Sequence, residues 1–174
     1  MIKEIHLWDR AGQILEGVQK GALLTTKAGD EVNAMTIGWG HLGVEWSKPI
    51  FVAYVRQSRY TKGLLDKSGE FTVNIPVGAV DKKILSLCGT KSGRDLDKLK
   101  ELGLTPVEGQ TVSAPAIKEL PLTLECKVIY KQDQDLSALE KSYREHSYPA
   151  GTVEENNFHT AYYGLVTAAY ILED

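Results

Sequence analysis

The sequence predicts a mainly β fold, a β-barrel of long strands with peripheral helices. Three observations carry that prediction. EFTVNIP (70–76) sets Phe71, Val73 and Ile75 against Thr72 and Asn74, the period of two expected of a strand with one face inside. LTLECKVIYK (122–131) and FHTAYYGLVTAAYIL (158–172) are long strand-like runs that fill the second half. Helical patterns fall irregularly between the strands, without the βαβ alternation that builds a doubly wound parallel sheet.

The remaining elements follow in order. ALLTTK (22–27), the turn-like AGDE and VNAMTIGWG (32–40) read as a hairpin. PIFVAYV (49–55), an apolar and partly β-branched run behind a proline, reads as a buried strand. RYTKGLLDK (59–67) is helical in pattern, with Tyr60, Leu64 and Lys67 along one side; AVDKKILSL (79–87) puts Val80, Ile84 and Leu87 on one face. SGRDLDKLKEL (92–102) opens with a capping-type Ser92 and places Leu96, Leu99 and Leu102 at helical spacing. LSALEKSYREH (136–146) is one more short helix before a turn at YPAG. No repeat or linker divides the chain, so residues 1–174 are expected to form one domain, large enough to need no disulfide or metal.

Composition narrows the function. Hydrophobic residues at 43% and charged residues at 25% are those of a soluble globular protein. Twenty basic against 23 acidic side chains give a net charge of -3, so neither a nucleic acid nor an anionic membrane surface is an expected partner. The N-terminal MIKEIHLWDRAGQ lacks the apolar core of a signal peptide, and the longest apolar runs are too short to span a bilayer. Cys88 and Cys126, with no CxxC pattern, fit buried thiols in a reducing cytoplasm; a disulfide between them is the weaker reading. His6, His41, His146 and His159 show no metal-ligand spacing, and no GxSxG elbow occurs.

GWGHLG (38–43) is a formal match to the dinucleotide fingerprint GxGxxG, and its context fails. The motif works as a turn from a strand into a helix, but Pro49 follows VEWSK too closely for that helix. Glycines that relax a strand end are the better account. An anion site is better supported at VRQSRYT (55–61), where a strand runs into a helix. Arg56, Ser58, Arg59 and Thr61 cluster there beside helix N–H groups. An ordinary capped helix with solvated arginines explains the same residues equally well. CGTKSGRDLDK (88–98) is a second donor-rich loop and lacks the Walker A pattern.

NAMTIGWG, KPIFVAYVRQSRYTKGLLDKSGEFTVNIP, CGTKSGRDLDKLKELGLT and FHTAYYGLVTAAY, in this order, resemble the flavin reductase-like family, which folds as an FMN-binding split β-barrel; flavoredoxin-type members are the most similar. The resemblance spans roughly residues 20 to 172. It implies FMN as cofactor and NADH or NADPH as electron donor. It implies ring-side residues Asn33, Met35, Thr36, Ile37 and Trp39, and phosphate contacts from Arg56, Ser58, Tyr60 and Thr61. Cys88, Gly89, Thr90 and Lys91 would border the ribityl chain and phosphate. Family members are usually homodimers with the flavin near the subunit interface. Many carry Gly-Asp-His before the last strand; Asn156, Asn157, Phe158 and His159 stand here, so His159 keeps its position without the acid. A structural hydrogen bond and a catalytic place beside the flavin are both open for His159. The implied activity is hydride transfer from nicotinamide to flavin, which needs orientation more than an acid or base. The alternatives are a flavoprotein that passes electrons to a protein partner, and a non-catalytic barrel binding another planar ligand.

Overall fold

A computed structural model describes residues 1–173 and has the predicted mainly β architecture. The chain opens with β1 (Ile2–Glu4), a 3-10 turn and α1 (Ala11–Lys20). Two hairpins follow, β2 (Ala22–Ala28) with β3 (Glu31–Ile37), and β4 (Gly40–Glu45) with β5 (Lys48–Arg56). Next come α2 (Tyr60–Ser68), β6 (Glu70–Ile75), α3 (Lys82–Thr90) and α4 (Lys98–Leu102). The short pair β7 (Pro106–Val107) and β8 (Ala116–Ile117) precedes β9 (Leu122–Asp133), α5 (Lys141–Ser147) and β10 (His159–Leu172). The main sheet runs β3-β2-β6-β9-β10-β5-β4, antiparallel throughout, with β1 added to β10. β3 and β4 are consecutive in sequence but end this path on opposite sides, which leaves the barrel split between them.

Alternation decides which way each strand faces. Leu24, Met35, Phe51, Val55, Phe71 and Val73 meet inside, with Leu124, Cys126 and Tyr162 from the long strands and Ile14 and Val18 from α1. Burying each large side chain stabilises by about 1.5–3 kcal/mol, so this set holds the barrel together. The opposite faces of β2 and β3 present Leu23 and Ala34 to Ile84, Cys88 and Leu99, which seats α3 and α4 outside the barrel.

Several expectations are corrected. The predicted strand 32–40 is two strands, β3 ending at Ile37 and β4 beginning at Gly40, where a Cβ would lie 2.7 Å from Phe51 Cζ. The two-residue loop between β4 and β5 uses Trp46 (φ 51) and Ser47 (φ 57), a left-handed turn without the Asn-Gly that usually announces one. α1 is an element that the sequence patterns above do not predict. The buried side of α2 is Thr61, Leu64 and Leu65, which replaces Tyr60 and Lys67. α3 is capped by Asp81, which accepts from Lys83 N at 2.8 Å, and it runs on through residues 88–90, which were expected in a loop. Ser92 caps no helix: its Oγ accepts from Arg94 N in a local turn, and α4 starts later under Asp97. α5 likewise begins only after Glu140, whose carboxylate caps it.

Candidate functional site

β5 ends at Arg56, and the chain turns through Gln57 and Ser58 into α2, whose N-cap is Arg59. The first N–H groups of a helix have no partner within it; here Gln57 N donates to Phe158 O, Ser58 N to Asn157 Oδ1 and Arg59 N to Arg56 O, which leaves the N–H groups of Tyr60 and Thr61 at the helix start. A cavity of about 400 Å³ lies there, between Asn33 and Met35 of β3, the start of α2 and the segment 90–94. Its charge is lopsided. Arg56, Arg59, Lys91, Arg94 and Lys98 line it, and Glu154 is the one carboxylate among its lining residues.

Each cation is held differently. Lys98 is 3% exposed, and its ammonium donates to the carbonyls of Ala34 (3.0 Å) and Cys88 (3.1 Å); burial holds its pKa below the usual lysine range. Arg59 donates to Gly89 O at 2.7 Å, and burial followed by the nearby Arg56 lowers its pKa too. Arg94 lies 5.4 Å over the Tyr60 ring and donates to Ser58 O at 3.2 Å. The Lys91 ammonium forms no hydrogen bond or ion pair among the described residues, its backbone N–H alone being bonded, to Leu87 O. Mutually repelling cations of this kind favour a bound anion. The walls are tight: a Cβ at Gly93 would overlap Asn33 and Tyr60, so backbone and not side chain fills that position. Asn33 Nδ2 donates to Thr61 Oγ1 at 2.7 Å and fixes the hydroxyl at the cavity floor.

A second cavity of about 210 Å³ adjoins the first, sharing Met35, Arg56 and Arg59. Thr36, Ile37, Gly38, Trp39, Tyr54 and His159 complete its walls. Trp39 stacks on the His159 ring at 4.7 Å between centroids, tilted by 37°. Burial, then Arg56 and Arg59, pushes the His159 pKa down to about 4, so the imidazole is neutral near pH 7.

Most of the expected residues gather at these two cavities. Asn33, Ser58, Tyr60, Thr61, Thr90 and Lys91 line the larger one; Thr36, Ile37, Trp39 and His159 line the smaller; Met35 and Arg56 line both. Cys88 and Gly89 line neither. Cys88 is fully buried on the inner side of α3, where burial pushes its thiol pKa up, and Gly89 contributes only its carbonyl, to Arg59. Arg56 and Ser58 line the larger cavity and also have partners within the chain. Arg56 pairs with Glu154 and donates to the carbonyls of Ser147 and Asn157. Asn157 accepts from Ser58 N at 3.0 Å and donates to its Oγ at 2.9 Å. Sequence reasoning missed Tyr54, Lys98, Tyr148, Glu154 and Asn157 as site residues. Only Asn157 left a trace, in the run Asn-Asn-Phe-His.

Residues 18–174 match the family described as flavin reductase like domain. An uncharacterized protein of Archaeoglobus fulgidus is 35% identical over 100 residues, covering 58% of this chain and 55% of that one. The chain thus spans little more than half the length of this curated relative. The flavoredoxin of Desulfovibrio vulgaris (Miyazaki F) superposes with a TM-score of 0.66 at 27% identity, over 88% of this chain and 69% of that one. An FMN-binding domain of a flavin reductases-like enzyme from Shewanella baltica gives 0.69 at 17% identity, over 98% and 77%, a likeness of fold alone.

Proposed function

The chain belongs to the flavin reductase-like family, and from that premise we propose that it is an FMN-binding oxidoreductase that takes a hydride from NADH or NADPH onto the flavin. The observation that carries this reading is the adjacency of a cationic cavity and a smaller aromatic one. A phosphate suits the first and a flat ring the second, and the shared Arg56 and Arg59 stand between them.

Bound FMN supplies reversible hydride acceptance at its ring. The chain supplies placement. Arg59, Lys91 and Arg94 neutralise the phosphate, and the α2 N-terminus with the Thr61 hydroxyl, whose proton is left free by the bond it accepts from Asn33, adds neutral donors. Met35, Ile37 and Trp39 keep water from one face of the ring site. His159, neutral, offers a hydrogen bond without adding charge.

A second copy of the chain is the proposed partner. Tyr54 and His159 share the outer face of the β5–β10 ladder with Ile50, Val52, Ala161, Tyr163 and Leu165, an apolar face beside the smaller cavity. Trp46 and Tyr130 extend it, Trp46 through a tilted contact with Tyr163 and Tyr130 through an edge contact. A second copy on this face would close the ring site from outside. Two free cysteines support a reducing compartment such as the cytoplasm, and no helix among the described residues is long and apolar enough to cross a membrane.

The likeness to flavoredoxin supports a second reading, an electron carrier that keeps FMN and reacts with a protein partner. Anaerobic addition of NADH and of NADPH to the FMN-loaded protein separates the two. Bleaching of the flavin band supports the reductase, a stable band favours the carrier, and failure to take up FMN rejects both.

A further inference from the structure

Tyr148 belongs to neither cavity, yet it holds the histidine beside the smaller one. Its hydroxyl meets His159 Nδ1 at 2.5 Å and Gln134 Oε1 at 3.1 Å, and the residue is 4% exposed. The Tyr148 and His159 rings meet edge to face at 5.8 Å, and the Arg56 guanidinium lies 5.1 Å over the phenol. The backbone fixes all three partners. Tyr148 N donates to Arg144 O at the end of α5, and Gln134 N donates to His159 O at 2.9 Å.

Counting protons gives the direction of this chain. A phenol has one proton, and burial, outweighing the nearby Arg56, raises the Tyr148 pKa and keeps that proton in place. Gln134 Oε1 is an acceptor only, so the hydroxyl proton goes to it. The oxygen lone pair then faces Nδ1, which must carry the single proton of the neutral imidazole. Nε2 is left with its lone pair and has no hydrogen-bond partner among the described residues, on a ring that lines the cavity.

We propose that Tyr148 is a positioning residue that fixes His159 as the Nδ1–H tautomer and so presents the Nε2 lone pair to the smaller cavity, as acceptor for an N–H of a bound ring. The imide N–H of a flavin is one such group, and that identification alone rests on the proposed function. Among the cations around it, the lone pair is the complementary acceptor: Arg56 and Arg59 line the same cavity and bring donors only. The hydroxyl also stands where a carboxylate would have charged the imidazole. A phenol orients the ring and leaves it neutral.

Long-range 1H–15N spectra of the ligand-free full chain at neutral pH test the tautomer directly. Nδ1 is expected to resonate as the protonated nitrogen and Nε2 as the bare one; the reverse assignment overturns the proposal. Gln134→Leu removes the acceptor and frees the hydroxyl to donate to Nδ1, so the tautomer should invert, whereas an unchanged spectrum refutes the proton count. Tyr148→Phe should leave a mixture of tautomers, and a pure Nδ1–H form in that variant removes Tyr148 from the role. On addition of FMN, the Nε2 signal should move upfield in the wild type and by less than half as much in Tyr148→Phe. Binding seen in absorbance with Nε2 unmoved overturns the acceptor role. A protein that takes up no FMN overturns the functional reading instead, and the ligand-free spectra still decide the tautomer.

Discussion

Arg56 and Glu154, 98 positions apart, form an ion pair at the edge of the cationic cavity, and Asn157 Nδ2 donates to the same carboxylate at 3.0 Å. The chain has thereby placed an anion of its own on an arginine that lines both cavities. A phosphate entering the larger cavity competes with it. Glu154→Gln is expected to bind FMN about 3- to 10-fold more tightly, an effect of roughly 1 kcal/mol typical of a partly exposed pair. Riboflavin, which lacks the phosphate, should bind both proteins alike. Isothermal titration with the two ligands checks this, and weaker FMN binding by the variant would show that Glu154 serves to set Arg56 in place.

The two arginines of the turn should differ in weight. Arg59 lines both cavities, feels Glu154 only at a distance and has no carboxylate in hydrogen-bond contact among the described residues, whereas the Arg56 guanidinium is engaged by Glu154 and two carbonyls. Arg59→Ala is expected to raise the FMN dissociation constant at least about 10-fold, the scale of a lost charge-assisted hydrogen bond. Arg56→Ala should weaken binding by a smaller factor. Fluorescence quenching of FMN measures both, and two unchanged constants would exclude the phosphate from this turn.

Two acid-sensitive windows are expected in stability. The His159 pKa falls from 6.5 to about 4 in the folded chain, so the unfolded chain takes up the proton first. Its contribution is present above pH 6.5 and is lost as pH falls towards 4. Asp66 behaves as a depressed carboxylate. Burial raises its pKa, but hydrogen bonds from Lys131, Lys62 and Tyr162 outweigh that and lower it from 3.8 to about 2. Its contribution is present above 3.8 and is lost as pH falls towards 2. Melting temperatures taken from pH 7 to 2 should therefore decline less for His159→Gln in the upper window and less for Asp66→Asn in the lower. Parallel curves for wild type and variants would contradict both assignments.

Ser47 offers the opposite kind of change. Its φ of 57° is the left-handed region, which an L side chain adopts at a cost and glycine does not. Ser47→Gly is expected to stabilise the protein by about 1 kcal/mol, read from the midpoint of urea denaturation. A lowered midpoint would mean that the serine side chain contributes to the turn.

That same turn explains why β4 escaped the sequence. A hairpin is announced by Asn-Gly or Asp-Gly, and Trp46-Ser47 carries neither, so the glycines of GWGHLG read as the fraying end of one strand. EFTVNIP was legible because its alternation matches a sheet with one buried face. The first turn of α4 was misplaced because Ser92 and Asp97 both carry cap chemistry, and only the packing of Leu99 under α3 favours the second. In the site, RQSRYT was legible because strand, turn and helix start are contiguous. Tyr148, Glu154 and Lys98 were not, because each acquires its partner only through the fold: Glu154 meets Arg56 and Lys98 meets Ala34 across distant segments, and Tyr148 reaches His159 across the loop between α5 and β10.

The clustering of Arg56, Arg59, Lys91, Arg94 and Lys98 has a kinetic consequence. A chain of net charge -3 repels small anions on average, but its positive field is concentrated at one opening. Diffusing phosphates are drawn to that mouth and turned away elsewhere, so their encounter rate slows as added salt shortens the reach of the field.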